Sequence, residues 1–379
     1  MRQIAVLSAL LVAALVGSYL TWTAEAPVED GDKVAVYVAD ADDLQQVKWT
    51  GDDQIVQVEQ KSDALGDYLW ITSIEKVYPK AEKKEEPADD GHGHGHGHDH
   101  GDEGDEGEDA EAEEGEDTEG ADATEEAEEA PEDRGTPEIK TVSFLGNDVA
   151  QTMWDNFAPL QALRELEPDP VNPVEATVFG FADPHATIEV VRGSGPLTLT
   201  VGGETYGAKD RYVQYDSRVL LVDDATLRPL QFGKTRLPER RLHPLAEQEI
   251  AKLGVRAGPR SLDFVQQNKA DRAQAFWAPA SQPDDEASQS AWLGKLLRLR
   301  VQQYTTAEEA GPLTPLFSFI VAGDGADAYE IGVLTDAESD EYYAKSSFNR
   351  SLVKLTKSVA SDAASDLDAI FEQATSPAN

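Results

Sequence analysis

The chain has 379 residues, no cysteine and a formal net charge of −41, so no disulfide, thiolate nucleophile or cysteine metal site is available to it. Between Glu82 and Arg134 lie 25 acidic and three basic residues, which leaves −19 for the remainder. That acidic balance repels phosphates and argues against nucleic acid as a partner, while the length allows two or more domains with sizeable cores.

At the amino terminus Ile4 to Leu20 is apolar throughout, with Arg2 before it and Trp22 just after. About 20 such residues cross a bilayer, and the apolar region of a secretory signal is usually shorter. Ala24-Glu25-Ala26 fits a small-x-small cleavage site, but Pro27 would follow the cut. The reading favours an uncleaved signal anchor through residues 4–22, with a cleaved signal as the alternative. Arg2 places the short end inside and the bulk of the chain outside, as a single-pass, periplasmic membrane protein.

Four candidate strands follow: Lys33–Ala39, Leu44–Trp49, Gln54–Glu59 and Tyr68–Ile74, separated by Asp52-Asp53 and Leu65-Gly66-Asp67. Trp70 reads as a sheet-face core residue, with an aromatic ligand platform as the less favoured role. From Ala81 to Gly135 large apolar residues almost vanish, and such a composition cannot offset its chain entropy, so disorder is expected. Within it His92, His94, His96, His98 and His100 alternate with Gly and Asp99. Neutral imidazole suits Zn²⁺, Ni²⁺ or Cu²⁺, and glycine spacers let several rings converge on one ion. Neighbouring carboxylates attract cations but also favour protonated histidine, which opposes binding. A structural zinc site fixes four ligands in a set geometry, and this repeat does not. The tract therefore reads as a solvated linker, a loosely bound Zn or Ni loop, or a pH-responsive tether, and no cofactor is otherwise expected.

Val149 to Leu166 carries Val149, Met153, Trp154, Phe157, Leu160, Leu163 and Leu166 near helical spacing, capped by Asn147 or Asp148 and kinked or divided at Pro159. Next come Phe179-Gly180-Phe181-Ala182-Asp183-Pro184 and a run of hairpin signals. Ala186–Val191 and Leu197–Val201 are bounded by Gly193-Ser194-Gly195-Pro196 and Gly202-Gly203, and Tyr212–Val222 is broken at Asp216-Ser217-Arg218. An antiparallel sheet is expected there.

In these features the chain resembles the bacterial DUF4340 proteins. The matching residues are Trp70, Leu160 to Leu166, Phe179 to Pro184, Thr187 to Val190, Leu199 to Gly202, Arg211-Tyr212-Val213 and Ser217 to Val222. Phe181 stands where leucine is usual, and the acidic tract looks like an insertion between strand and helix. The resemblance covers roughly Asp32 to Leu230 and is carried by structural motifs. It implies association with gliding-motility-type ABC transporter auxiliary proteins, and it carries over no catalytic residue.

From Leu245 the order of features recurs. Glu249–Val255 resembles Leu44–Trp49, and Phe276-Trp277 stands where Leu69-Trp70 stood. Pro283-Asp284-Asp285-Glu286 caps an expected helix from Ala287 to Gln303, carrying Trp292, Leu296, Leu299 and Val301. Phe317–Val321, Tyr329–Leu334, Tyr342–Lys345 and Ser351–Leu355 echo the later sheet, and Ala360–Phe371 closes as a helix. Tyr343 and Arg350 mirror Tyr212 and Arg218 and read as packing and hairpin ion pairs rather than a ligand clamp.

Searches for catalytic constellations fail. There is no G-x-S-x-G elbow, no H-E-x-x-H and no phosphate-binding G-x-x-x-x-G-K, and Gly202-Gly203 is too short for a dinucleotide loop. Outside the tract only His185 and His243 remain, each beside a proline, and both read as ordinary histidines. Asp284-Asp285-Glu286 could bind Mg²⁺, with helix capping the better explanation. Asn349-Arg350-Ser351 matches a glycosylation acceptor.

The expectation is thus an α+β protein of two tandem related units, each an antiparallel sheet plus helix, behind an N-terminal transmembrane helix. The parts are an anchor (1–26), the first strands (27–80), a disordered acidic insertion (81–135), the rest of unit one (136–236) and unit two (237–374), with Leu237–Pro244 as the joint. The expected role is non-enzymatic: an accessory or scaffold protein of an ABC-type transport or gliding-motility-like membrane complex, with a protein partner and no identified small-molecule substrate. The alternative is a metal-binding module that uses the five histidines.

Overall fold

In a computed structural model, residues 33–79, 136–166, 178–325, 327–336 and 338–375 are described. By contacts the chain divides between Lys76–Ile139 and the remainder. Apart from the outer ends of two strands, both large sheets fall in that remainder.

The first sheet grows from β1 (Val34–Ala35), β2 (Leu44–Gly51), β3 (Gln54–Asp63), β4 (Gly66–Val77), β5 (Glu138–Leu145), β6 (Gln161–Ala162), β7 (Arg164–Leu166), β8 (Ala186–Arg192), β9 (Gly195–Glu204), β10 (Arg211–Tyr215) and β11 (Arg218–Val222). β1 and β6 form a separate two-stranded piece, and the others order as β5-β4-β3-β2-β8-β9-β10-β11-β7. The helices of this half are α1 (Asp148–Asn156), α2 (Asp224–Gln231) and the single turn α3 (Gly233–Arg236). The second half supplies β12 (Lys252–Ala257), β13 (Arg260–Gln267), β14 (Phe276–Pro279), α4 (Ser290–Leu297), β15 (Val301–Thr305), α5 (Ala307–Ala310), β16 (Thr314–Ala322), β17 (Ala328–Asp336), β18 (Glu341–Ser346), β19 (Leu352–Leu355), α6 (Lys357–Ser365) and α7 (Leu367–Thr375). Its sheet orders as β14-β13-β12-β16-β17-β18-β19-β15. Without the edge strand β5, the two orders are the same.

Strand alternation explains which face is buried. Trp49, Ile188 and Leu199 pair across β2, β8 and β9, and Val255, Phe319 and Ile331 pair across β12, β16 and β17. All six are buried, because residues two apart share one face of a strand. Helices cover that face. Gly233 of α3 lies so close to Val56 that a Cβ there would meet it at 2.7 Å. In the other half the Trp292 ring of α4 packs at a tilt near Phe317, and its Nε1 donates to Ala363 O of α6 at 3.0 Å. The buried apolar side chains of both halves form one continuous cluster.

The α+β expectation is corrected. Of the described residues 47% are strand and 21% helix, so the protein is mostly β. The helix expected over Val149–Leu166 is nine residues long, capped by Asn147, whose side chain accepts from Ala150 N at 3.0 Å. It ends before Pro159, since the residue preceding a proline is pushed out of helical conformation and proline cannot donate. Leu160 then turns inward, and Gln161–Leu166 becomes β6 and β7, paired to β1 and β11. Likewise the helix expected over Ala287–Gln303 stops at Leu297, and Val301 and Tyr304 are buried from strand β15.

The single-pass membrane arrangement is also corrected. Spanning a bilayer takes about 20 helical residues, whereas the described helices reach nine, and among the described residues none is long and apolar enough to cross. The stretch expected to do so, 4–22, lies outside the described residues, as do 81–135.

Candidate functional site

Two neighbouring features of the folded unit concentrate polar chemistry and open surface: the joint between the sheets, and the face of the second sheet turned away from α4 and α6. The joint is built on the strap Leu237–Pro244. On one side Glu239 N donates to Leu145 O at 2.8 Å and Asn147 N donates to Leu237 O at 2.9 Å. On the other, Val301 N donates to Arg240 O at 2.9 Å, and the Tyr304 hydroxyl donates to Glu239 O at 3.0 Å. The Asn349 amide donates to Arg241 O at 2.9 Å and to the Tyr304 hydroxyl at 3.3 Å, with no exposed surface. The buried Tyr304 hydroxyl and Asn349 amide thereby find partners, which such burial requires.

Beside the strap a crevice of about 410 Å³ is lined by Tyr68, Asn147, Glu239, Arg241, Phe348 and Arg350. Its arginines are paired. Arg241 makes a fork with the buried Glu239 carboxylate, Nε to Oε1 at 3.0 Å and Nη2 to Oε2 at 2.6 Å, and that hydrogen-bonded carboxylate raises the Arg241 pKa. Arg350 makes a second fork with Asp63, at 2.6 and 3.0 Å, and lies 3.8 Å above the Tyr68 ring. Hydrogen bonds from Arg350 and from Leu65 N hold the Asp63 carboxyl below its usual range. Planar guanidinium suits both the fork and the stack. Arg350 also has a φ of 58°, an uncommon conformation for a non-glycine residue. His243 lies on the strap itself, and burial, with Arg300 and Arg241 near, depresses its pKa to about 4.

The open face of the second sheet is a groove of about 1400 Å³. Its floor is the cross-strand row Arg256–Ser318–Gly332–Lys345, continued by Leu352. Leu313, Pro315, Leu316 and Leu334 supply apolar walls. In the first sheet the same register positions hold Thr50, Thr187, Thr200 and Gln214.

The residues singled out by sequence are scattered. His92, His94, His96, His98 and His100 lie outside the described residues. His185 is half-buried, edge-on to Trp49 at 5.8 Å, with Nε2 at 3.2 Å from Gln231 Nε2, and burial lowers its pKa. Asp284, Asp285 and Glu286 are exposed in a turn, and α4 starts later with Gln289 before it, so they do not cap it. Among the described residues no group of three or more His, Asp or Glu could hold a metal. Arg218 forks onto Glu165 and donates to the Ala35 and Val36 carbonyls, a brace like that of Arg350. Sequence reasoning missed the groove floor. The available signal was Gly332 inside the run Tyr329–Leu334, since glycine in a strand interior marks a close approach or an open site. No family model matches the chain, and neither a curated protein nor a solved structure matches it.

Proposed function

We propose that this chain acts by binding, as a non-enzymatic accessory or scaffold subunit of a larger protein assembly. The observation that carries this reading is the groove of about 1400 Å³ on the second sheet. Small-molecule sites are typically about 300–1,000 Å³ and enclosed, whereas this one lies open across four strands and suits a chain segment. The charged groups of the joint are engaged in bracing the sheet that carries it. The resemblance to DUF4340 proteins adds a direction, an ABC-type transport or gliding-motility-type system. The test is affinity purification of the full chain from its native host at native expression level, with quantification of co-purifying chains. Recovery of a permease and an ATPase in near-equal amounts is expected, and recovery of this chain alone overturns the reading.

A second reading is favoured by the sequence alternation at His92, His94, His96, His98 and His100, which suits capture of Zn²⁺ or Ni²⁺. Calorimetric titration of the full chain against a variant with all five changed to Ser tests it. Equal heats at micromolar metal remove it.

A further inference from the structure

We propose that the groove on the second sheet docks an extended segment of a partner protein that seats an aromatic side chain over Gly332. This rests on the binding role proposed above and names its surface and ligand chemistry.

The occupant is argued from the protein's own first sheet. Away from the hairpin ends three glycines interrupt the outward-facing rows of the two sheets, and each leaves a notch where a side chain would stand. At Gly202 of β9 the notch is filled. A Cβ there would meet Phe179 O at 2.1 Å and the Phe181 ring at 2.9 Å, Gly203 N donates to Phe179 O at 2.8 Å, and the Phe179 ring lies 4.7 Å from that of Tyr212 on β10. The segment before β8 thus lies over the sheet as an aromatic plug, its backbone bonded to the strand end. At Gly254 of β12 the notch is filled by the Arg256–Asp263 ion pair, since a Cβ would meet Asp263 Oδ1 at 2.9 Å and the Arg256 guanidinium at 3.4 Å.

Gly332 of β17 is the remaining notch. A Cβ there would meet nothing nearer than Lys345 O at 3.9 Å. β17 holds in the second sheet the place of β9 in the first, and Tyr343 on β18 takes the place of Tyr212 on β10. The notch has moved along the strand: Leu334 stands where the first sheet has Gly202, so the apolar wall is built in and the vacancy lies over the middle of the groove. The link from β15 to β16, Thr306–Leu313, is the counterpart of the plug-bearing link and carries no aromatic residue. What the first sheet supplies from its own chain, the second receives from another. Exposed Lys345, without an ion-pair partner among the described residues, favours a carboxylate near the aromatic ring. Phe181 and Asp183 of the plug have such a spacing.

The probe is a fluorescent synthetic peptide copying residues 178–186, titrated against the full chain by anisotropy. Saturable binding is expected with Kd of order 10–100 μM, equivalent to about 5–7 kcal/mol. Gly332→Val fills the notch without a clash and should weaken binding at least about tenfold, equivalent to about 1.4 kcal/mol, with circular dichroism unchanged and melting not lowered. Gly332→Thr, the residue of the first sheet at that register, provides a second folded variant and should weaken binding too. A peptide with both phenylalanines changed to Ala should not bind. Absence of saturable binding to the wild-type chain up to about 1 mM, or wild-type affinity in both Gly332 variants, overturns the proposal. Affinity purification with Gly332→Val separates the two claims. Partners retained by both wild type and variant sink the groove and leave the scaffold reading standing, whereas partners absent from both sink the scaffold reading.

Discussion

At matching register positions the two large sheets carry different side chains on both faces. Toward the helices, the row Trp49–Ile188–Leu199 of the first sheet corresponds to Val255–Phe319–Ile331 of the second. The bulky aromatic moves from β2 to β16 while the row stays filled and buried. Toward the outside, Thr50–Thr187–Thr200–Gln214 is matched by Arg256–Ser318–Gly332–Lys345. The inward rows show that total volume and alternation keep the topology, as cores tolerate exchange when both are kept. The outward rows are free of that constraint, and there the halves diverge in chemistry.

The largest expected effect tests whether the halves share one core. Phe319→Ala should cost about 3–5 kcal/mol and Ile188→Ala about 2–5 kcal/mol, each lowering the midpoint of a single urea transition followed by tryptophan fluorescence and circular dichroism. Two transitions, each moved by only one variant, would show that the continuous cluster does not couple the sheets. Next is Gly202→Leu, which gives the first sheet the residue the second has. Its side chain must displace Phe179 backbone and the Phe181 ring, at a cost of about 3 kcal/mol, and chymotrypsin should then cut at Phe179 or Phe181. An uncut variant of wild-type stability breaks the plug-and-notch comparison.

Stability should also depend on pH through the strap. His243 is depressed to about 4 when folded, from an unfolded value of about 6.5. As pH falls through the unfolded value, the unfolded chain takes up a proton that the folded chain refuses, so stability is present above that pH and is lost below it. Between about pH 8 and about pH 5 this costs about 2 kcal/mol. His243→Gln should remove that part of the slope relative to wild type in urea titrations at each pH, and identical slopes would refute the assignment. The smallest effect is that of Gly332→Thr on stability. Threonine fits a strand better than glycine, so a gain of up to about 1 kcal/mol is expected, and a loss larger than that would mean the notch is already occupied.

Much of this fold was legible as sequence where turns punctuate it. Arg192-Gly193-Ser194-Gly195 reads as a hairpin, and β8 and β9 do pair from Arg192↔Gly195 onward. The helices were overread because Leu160, Leu163 and Leu166 match helical spacing, while β6 and β7 are two and three residues long. Their partners, β1 and β11, are remote in the chain, so no local pattern announces them. The groove was illegible for a related reason. Its floor comes from four strands, and only the register between them brings Arg256, Ser318, Gly332 and Lys345 into a row. Arg350 reads as the counterpart of Arg218, but its partner Asp63 lies in the other half of the sequence.

Asn349 has a consequence of a different sort. Asn349-Arg350-Ser351 is spelled as a glycan acceptor, yet the folded Asn349 has no exposed surface, and its amide is committed to Arg241 O and the Tyr304 hydroxyl. A sugar can be attached there only before the turn into β19 closes on the strap, and its bulk then keeps that turn from closing. Produced in a host that glycosylates its nascent chains, the protein would carry a built-in clock. The fraction modified at Asn349 would count the molecules that lingered unfolded, and the mark would stay on them permanently.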